Sequence, residues 1–224
     1  MIELDQLEFR YPDDGFRLRI DRLAIGAGQR IAFVGASGTG KTTLLHLMAG
    51  IRVPFRGRVT TNDVDLGSLD DAGRRAFRIR NVGLVFQEFE LVEYLTVLDN
   101  ILLPYRIDPS MSLTAPVRQS ARALACELGI GDKLDRHPDH LSQGERQRVA
   151  VCRALLPAPA VLLADEPTGN LDPANKERVL ELLLDQTGRR GTTLVVVTHD
   201  HDILPRFERT VDFADFHEPG APDR

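Results

Sequence analysis

Residues 35–42 read Gly35-Ala36-Ser37-Gly38-Thr39-Gly40-Lys41-Thr42, with Thr43 next. Three glycines, a lysine and a hydroxyl at this spacing fill every fixed position of the pattern G-x-x-x-x-G-K-[ST]. The glycines let the backbone bend until several N–H groups face one hollow, a setting made for anionic oxygens. Lys41 is then placed for the β- and γ-phosphates of a nucleotide, and the Thr42 hydroxyl for Mg²⁺. A second pair, Asp165-Glu166, directly follows the apolar run 161–164. Two adjacent carboxylates at the end of a buried strand are costly unless something uses them. Open α/β sheets bind ligands at that edge. Asp165 is expected to hold Mg²⁺, directly or through water, and Glu166 to polarise an attacking water. The plain alternative for the pair is a helix cap and a solvated acid before Pro167.

These groups need elements to hold them. Arg30-Ile31-Ala32-Phe33-Val34 reads as a short buried strand before the glycine loop, and residues 42–49 as a helix after it, ending at Gly50. The helix N-terminus adds partial positive charge at the loop. Upstream, residues 2–9 and 16–23 alternate apolar and polar around the turn 11–15, the pattern of a hairpin. Residues 57–66 predict a further strand pair, 69–78 a short basic helix, and 82–86 a buried strand ending at Gln87. Residues 88–140 hold helical pieces, notably 115–128, between Pro104, Pro109 and Pro138. The uninterrupted apolar runs 161–164 and 193–197 suit strands covered on both faces. Between them a helix spans about 173–187, opened by Asp172-Pro173 and closed near Gly188. The expected fold class is therefore α/β: a phosphate-loop NTPase core with a mostly parallel sheet, an N-terminal antiparallel β-subdomain and a helical insertion. One domain covers 1–224, with 1–87 and 157–216 as core, about 88–156 as the helical part and 217–224 as a tail.

Composition narrows the class. At 224 residues the chain can bury a full core. Lys plus Arg is 28 against 33 Asp plus Glu, a net charge of −5, which argues against a nucleic-acid partner. Cys126 and Cys152 lack metal-ligand spacing and read as buried thiols of a reducing compartment. His46, His137, His140 and His201 have no acidic or cysteine partner at ligand spacing, so no transition metal is assigned. The N-terminus does not read as a secretory signal, and no apolar run approaches the ~20 residues that cross a bilayer. Work at a membrane would need a partner that supplies the spanning helices.

Leu141-Ser142-Gln143-Gly144-Glu145 opens a helix running to about Leu156. Ser142 and Glu145 have the spacing of a capping box. That does not explain Gly144 in the first turn, where glycine costs up to ~1 kcal/mol relative to alanine. A glycine there also lets a phosphate approach the helix N–H groups, and both readings can hold.

In this order the elements resemble the ATP-binding subunit of ATP-binding-cassette (ABC) transporters across nearly the whole chain. GASGTGKT is similar to the Walker A motif, VLLADE to Walker B with its glutamate, and LSQGE to the family signature LSGGQ. Gln87 stands at the Q-loop, Thr168 to Asp172 at the D-loop, and His199 at the switch histidine. Tyr11 is where the family's adenine-stacking aromatic falls, and it also reads as a strand-end aromatic packed on an edge. The resemblance implies two subunits paired head to tail, with each ATP between Walker A of one and the signature of the other. Ser142 and Gly144 would touch the γ-phosphate bound to the opposite subunit, with Gln143 beside them. Gln87 would sense Mg²⁺ and the partner, His199 would hold the γ-phosphate and attacking water, and Asp172 would act across the dimer.

Two residues depart from the usual signature. Gln143 replaces a glycine, adding a side chain near a close contact, and Glu145 replaces a glutamine while suiting the capping box. The run DEPTGNLD is similar to ATPases of lipoprotein-release, macrolide-export and cell-division systems. On that resemblance residues 88–103 meet a permease, leaving Phe89, Leu91, Val92, Tyr94 and Leu95 partly exposed, and the protein lies in the cytoplasm on the inner face of the membrane. Core packing of the helical part is the other reading of those five residues. A soluble ABC-type ATPase acting on nucleic acid or ribosomes, and a regulatory module that holds ATP without hydrolysing it, are the competing functions. Intact Lys41, Asp165, Glu166 and His199 weigh against the second of these.

Overall fold

The computed structural model describes residues 1–12 and 16–216. The tail expected over 217–224 and residues 13–15 of the turn expected at 11–15 lie outside the described residues. Two sheets form the frame. Strands β1 (Ile2–Arg10), β2 (Arg17–Ile25), β4 (Arg56–Thr61) and β5 (Val64–Asp65) make an antiparallel sheet in the order β2-β1-β4-β5. Strands β3 (Arg30–Val34), β6 (Val82–Val85), β7 (Val161–Asp165), β8 (Thr193–Thr198) and β9 (Arg209–Asp212) make a parallel sheet in the order β6-β7-β8-β3-β9. The helices are α1 (Lys41–Met48), α2 (Asp71–Asn81), α3 (Val97–Ile101), α4 (Leu103–Ile107), α5 (Ala115–Glu127), α6 (Gln143–Leu155) and α7 (Pro173–Arg190).

The parallel strands are apolar on both faces because each face covers a separate core. Ile31, Phe33, Leu163, Val195 and Val197 point into one cluster with α1 and the buried side of β1 and β2. Ala32, Leu162, Ala164, Leu194 and Val196 point into the other, filled from α3, α5, α6 and α7. Side chains alternate across a strand, so a continuous apolar run serves two cores at once. The helical stretch shares this second core: Val149, Val151, Cys152 and Leu155 of α6 pack with Leu162 and Ala164 of the sheet.

The structure differs from the sequence-based expectations at four places. The helix expected to close near Gly188 continues to Arg190 and stops at Gly191, whose φ of 65° is the left-handed conformation that ends helices. Strand β9 was not anticipated: Arg209–Asp212 is short and largely polar, and among the described residues it pairs along one side, with β3. The hairpin strands are longer than the alternating runs suggested, reaching Arg10 and Ile25. Cys152 is fully buried, but Cys126 is exposed. The buried stripe of α5 is Ala121, Leu124 and Ala125, at helical spacing, and Cys126 falls beside it.

Candidate active site

The glycine loop joins β3 to α1 at the C-terminal edge of the parallel sheet, and β7 and β8 end beside it. Gly40 immediately precedes α1 with φ 104°, and a Cβ there would stand 2.3 Å from the Phe16 ring. The backbone angle strains any other residue there, and the Phe16 ring would have to move to make room. Lys41 is buried, and its Nζ donates to the carbonyls of Gly35 and Ala36, each at 2.7 Å. Thr39 Oγ1 closes the loop on Ala36 O at 2.9 Å.

Thr42 Oγ1 donates to Asp165 Oδ2 at 2.7 Å, joining the loop to the end of β7. Burial pushes the Asp165 carboxyl above the usual carboxylate range; the Thr42 hydrogen bond opposes that shift and the neighbouring Glu166 charge adds to it. A carboxylate so placed gains from a cation. Two adjacent oxygen donors, one anionic, are the hard ligands that Mg²⁺ selects. The residues present therefore fit that ion.

Glu166 is buried and has φ 44°, an uncommon conformation for a residue with a side chain. Its backbone N–H donates to Val197 O at 2.9 Å. That geometry turns the carboxylate toward β8, where Oε2 accepts from Thr198 Oγ1 at 3.1 Å and Oε1 lies 2.8 Å from His199 Nδ1. A carboxylate only accepts, so Nδ1 carries the proton and Nε2 is left for another partner. Strained backbone at the end of a buried strand marks a position held for its side chain.

These groups line one open cleft of about 350 Å³: Tyr11, Phe16, Ser37, Gly38, Gly40, Lys41, Thr42, Thr43, Gln87, Asp165, Glu166 and His199. Tyr11 is held there by its hydroxyl, 3.1 Å from Thr43 Oγ1, and by its edge-on contact with Phe9. Phe16 is the cleft residue that sequence reasoning missed. It belongs to no motif; its only signal was an aromatic just before a strand whose partner is followed by Tyr11.

Ser142, Gln143, Gly144 and Asp172 do not line this cleft. They form a second group. Ser142 accepts from Glu145 N at 3.3 Å and donates its own N–H to Glu145 Oε2 at 2.8 Å, completing the capping box of α6. Ser142 and Gln143 are exposed, whereas Gly144 is buried. A Cβ on Gly144 would lie 2.6 Å from Asn175 Oδ1, so the first turn of α7 supplies a packing reason for glycine that the sequence did not disclose. Asp172 caps α7, accepting from Ala174 N and Asn175 N at 3.1 Å, and takes Asn175 Nδ2 at 2.6 Å.

The segment after Gln87 presents a third surface. Tyr94 is 82% exposed, and Phe89, Leu91, Val92 and Leu95 are half-buried. The buried Asn100 holds this segment in place, with Oδ1 accepting from Val92 N and Nδ2 donating to the carbonyls of Val92, Leu95 and Thr96.

Residues 18–169 match the family model described as ABC transporter. The chain is 44% identical over 193 residues to the lipoprotein-releasing system ATP-binding protein LolD of Syntrophotalea carbinolica, covering 86% of this chain and 84% of that protein. It is 40% identical over 193 residues to the macrolide export ATP-binding/permease protein MacB of Rhodopirellula baltica, covering 86% of this chain but 28% of that longer protein. Among solved structures it is similar to the ATP-binding cassette MJ0796 in a dimeric post-hydrolysis state bound to ADP and Pi. The TM-score there is 0.84 at 32% identity, with 95% of this chain and 94% of that one covered.

Proposed function

The chain belongs to the ATP-binding subunits of ABC transporters, and from that premise we propose that two copies close around ATP, hydrolyse it and drive a membrane-embedded permease. One observation carries the proposal. The cleft brings together the phosphate loop, Gln87, Asp165, Glu166 and His199, while Ser142, Gln143, Gly144 and Asp172 stand outside it. A single copy thus holds an incomplete site, and a second copy in head-to-tail pairing supplies the remainder. The similarity to a dimeric cassette bound to ADP and Pi supports that arrangement.

The mechanism follows from the side chains. Loop N–H groups and Lys41 Nζ cradle the phosphates, the lysine exchanging its carbonyl partners for phosphate oxygens. Tyr11 stacks on the base. Thr42 and Asp165, with Gln87 near, would hold Mg²⁺, which when bound neutralises phosphate charge and fixes its orientation. Glu166 accepts a proton from the water that attacks the γ-phosphorus. His199, beside Glu166, donates a ring N–H to a γ-phosphate oxygen, which can only accept. The signature helix of the opposite copy presents Ser142 and its first N–H groups to the same phosphate, and Asp172 reaches across the interface. ATP then acts as part of the interface, so its cleavage favours separation.

The permease meets residues 88–103, where exposed Tyr94 and its half-buried neighbours form the contact. Among the described residues no helix is long and apolar enough to cross a membrane, so the spanning part is assigned to that partner. The working location is the cytoplasmic face of the membrane. No nucleic acid takes part.

Glu166→Gln tests the reading. The variant should bind Mg-ATP, stop turning over and elute as a dimer on gel filtration, while the parent hydrolyses ATP. A variant that remains monomeric at saturating ATP would contradict the shared site.

A further inference from the structure

Helix α7 opens with a lysine that the helix itself does not want. Lys176 lies in the first turn, where the helix dipole disfavours positive charge. Its Nζ instead sits 2.5 Å from Asp200 Oδ2, and both side chains are largely covered, at 31% and 16% exposure. Asp200 follows His199 directly. Its N–H donates to Thr198 Oγ1 at 3.0 Å, and that hydroxyl donates to Glu166 at 3.1 Å. Its Oδ1 accepts from Asp202 N at 3.0 Å, capping the turn 201–206. His199 is therefore held between two residues whose partners are fixed, and Lys176 holds one of them from outside the loop. The Lys176 hydrogen bond keeps the Asp200 carboxyl below the usual carboxylate range.

We propose that Lys176 is a positioning residue for His199: through Asp200 it fixes the histidine against Glu166 and thereby sets the rate of the hydrolytic step. The same turn of α7 carries Asn175, which bonds Asp172 and packs on Gly144. One helical turn thus touches both the group that serves this copy's cleft and the group assigned to the opposite copy. The neighbouring pair Glu177–Arg206 is the natural control. It joins the same helix to the far end of the same turn, but both side chains are over a third exposed and neither bonds to residues 198–200. Exposed pairs of that kind contribute little.

The proposal rests on the hydrolytic reading above and is separable from it. In the full-length protein Lys176→Met should lower kcat between about ten- and a hundredfold, the scale of a misplaced reacting group, with KM for ATP nearly unchanged. Lys176→Arg should recover most of the rate, and Glu177→Gln should leave it at the parental value. An unchanged kcat in Lys176→Met, a rise in KM alone, or an equal loss in Lys176→Arg would overturn the proposal. A second readout needs no turnover: the NMR signal of the His199 ring, assigned with His199→Gln, should shift in Lys176→Met without nucleotide. An unshifted ring would overturn the proposal even in a protein that proved unable to hydrolyse ATP.

Discussion

Replacing Gly144 by alanine sets two effects against each other. Inside a helix the change gains about 1 kcal/mol from backbone entropy, an upper figure for the first turn. Here the new Cβ would stand 2.6 Å from Asn175 Oδ1, 2.8 Å from its Cγ and 3.4 Å from its Cβ. Asn175 cannot swing away freely, because its Nδ2 is bound to Asp172 Oδ2 at 2.6 Å. Overpacking against a held neighbour costs about 1–3 kcal/mol. The expected net effect is destabilisation of about 1 kcal/mol, a fall in melting temperature of roughly 2–4 °C for a chain of this size. The same substitution in an Asn175→Ala background has no held neighbour, and the helix gain survives. There the melting temperature should rise by up to about 2–4 °C relative to Asn175→Ala alone. Thermal unfolding of the four proteins in this cycle measures the coupling directly. If Gly144→Ala raises the melting temperature with Asn175 intact, or acts equally in both backgrounds, the packing argument for this glycine is wrong.

Three further outcomes follow from other parts of the molecule. Lys41→Ala should abolish ATP binding or hydrolysis in equilibrium binding and turnover assays; undiminished turnover would remove the lysine from the phosphate site. The Ser142 backbone N–H holds the Glu145 carboxyl below its ordinary value of 4.5, with the Ser142 hydroxyl and Lys133 adding to the shift and burial opposing it. A depressed folded-state pKa contributes stability above the unfolded value and loses it as pH falls through the folded one. The melting-temperature gap between the parent and Glu145→Gln should therefore be open at neutral pH and close as pH falls below 4.5, and a gap independent of pH would refute this. Asn100→Ala strips four hydrogen bonds from the segment 92–96. Leaving the Val92 N–H without a partner should cost about 1–3 kcal/mol. Amide exchange should accelerate in that segment before the rest of the chain, and uniform exchange would mean that Asn100 does not hold it.

What could be read without a structure was what the chain does locally. A phosphate loop is a run of consecutive backbone N–H groups, so its chemistry is written in adjacent residues and its glycines announce it. Ser142 with Glu145, and Asp172 before Pro173, cap helices through bonds spanning two or three residues, and such bonds depend only on spacing. The two-faced strands at 161–164 and 193–197 declared themselves because a strand covered on both sides must be apolar throughout. Asp165 and Glu166 were legible for the same reason, as charges that such a strand does not otherwise tolerate.

Tertiary structure decided whatever depended on partners far along the chain. Strand β9 exists because β3 offers it an unpaired edge, and no apolar pattern marks it. The end of α7 lies at Gly191 rather than Gly188, although both are glycines with equal local claims. Phe16 lies over Gly40, Asn175 over Gly144, and Lys176 beside Asp200. Each of these contacts joins residues at least 24 positions apart, Phe16 with Gly40 and Lys176 with Asp200 both standing at that separation. Spacing along the chain carries no information about such pairs, because two packed sheets and the helices between them bring the residues together. The motifs were therefore readable from their order, and the resemblance already set Ser142, Gly144 and Asp172 apart from the phosphate loop, while the distant contacts around them were a product of the fold.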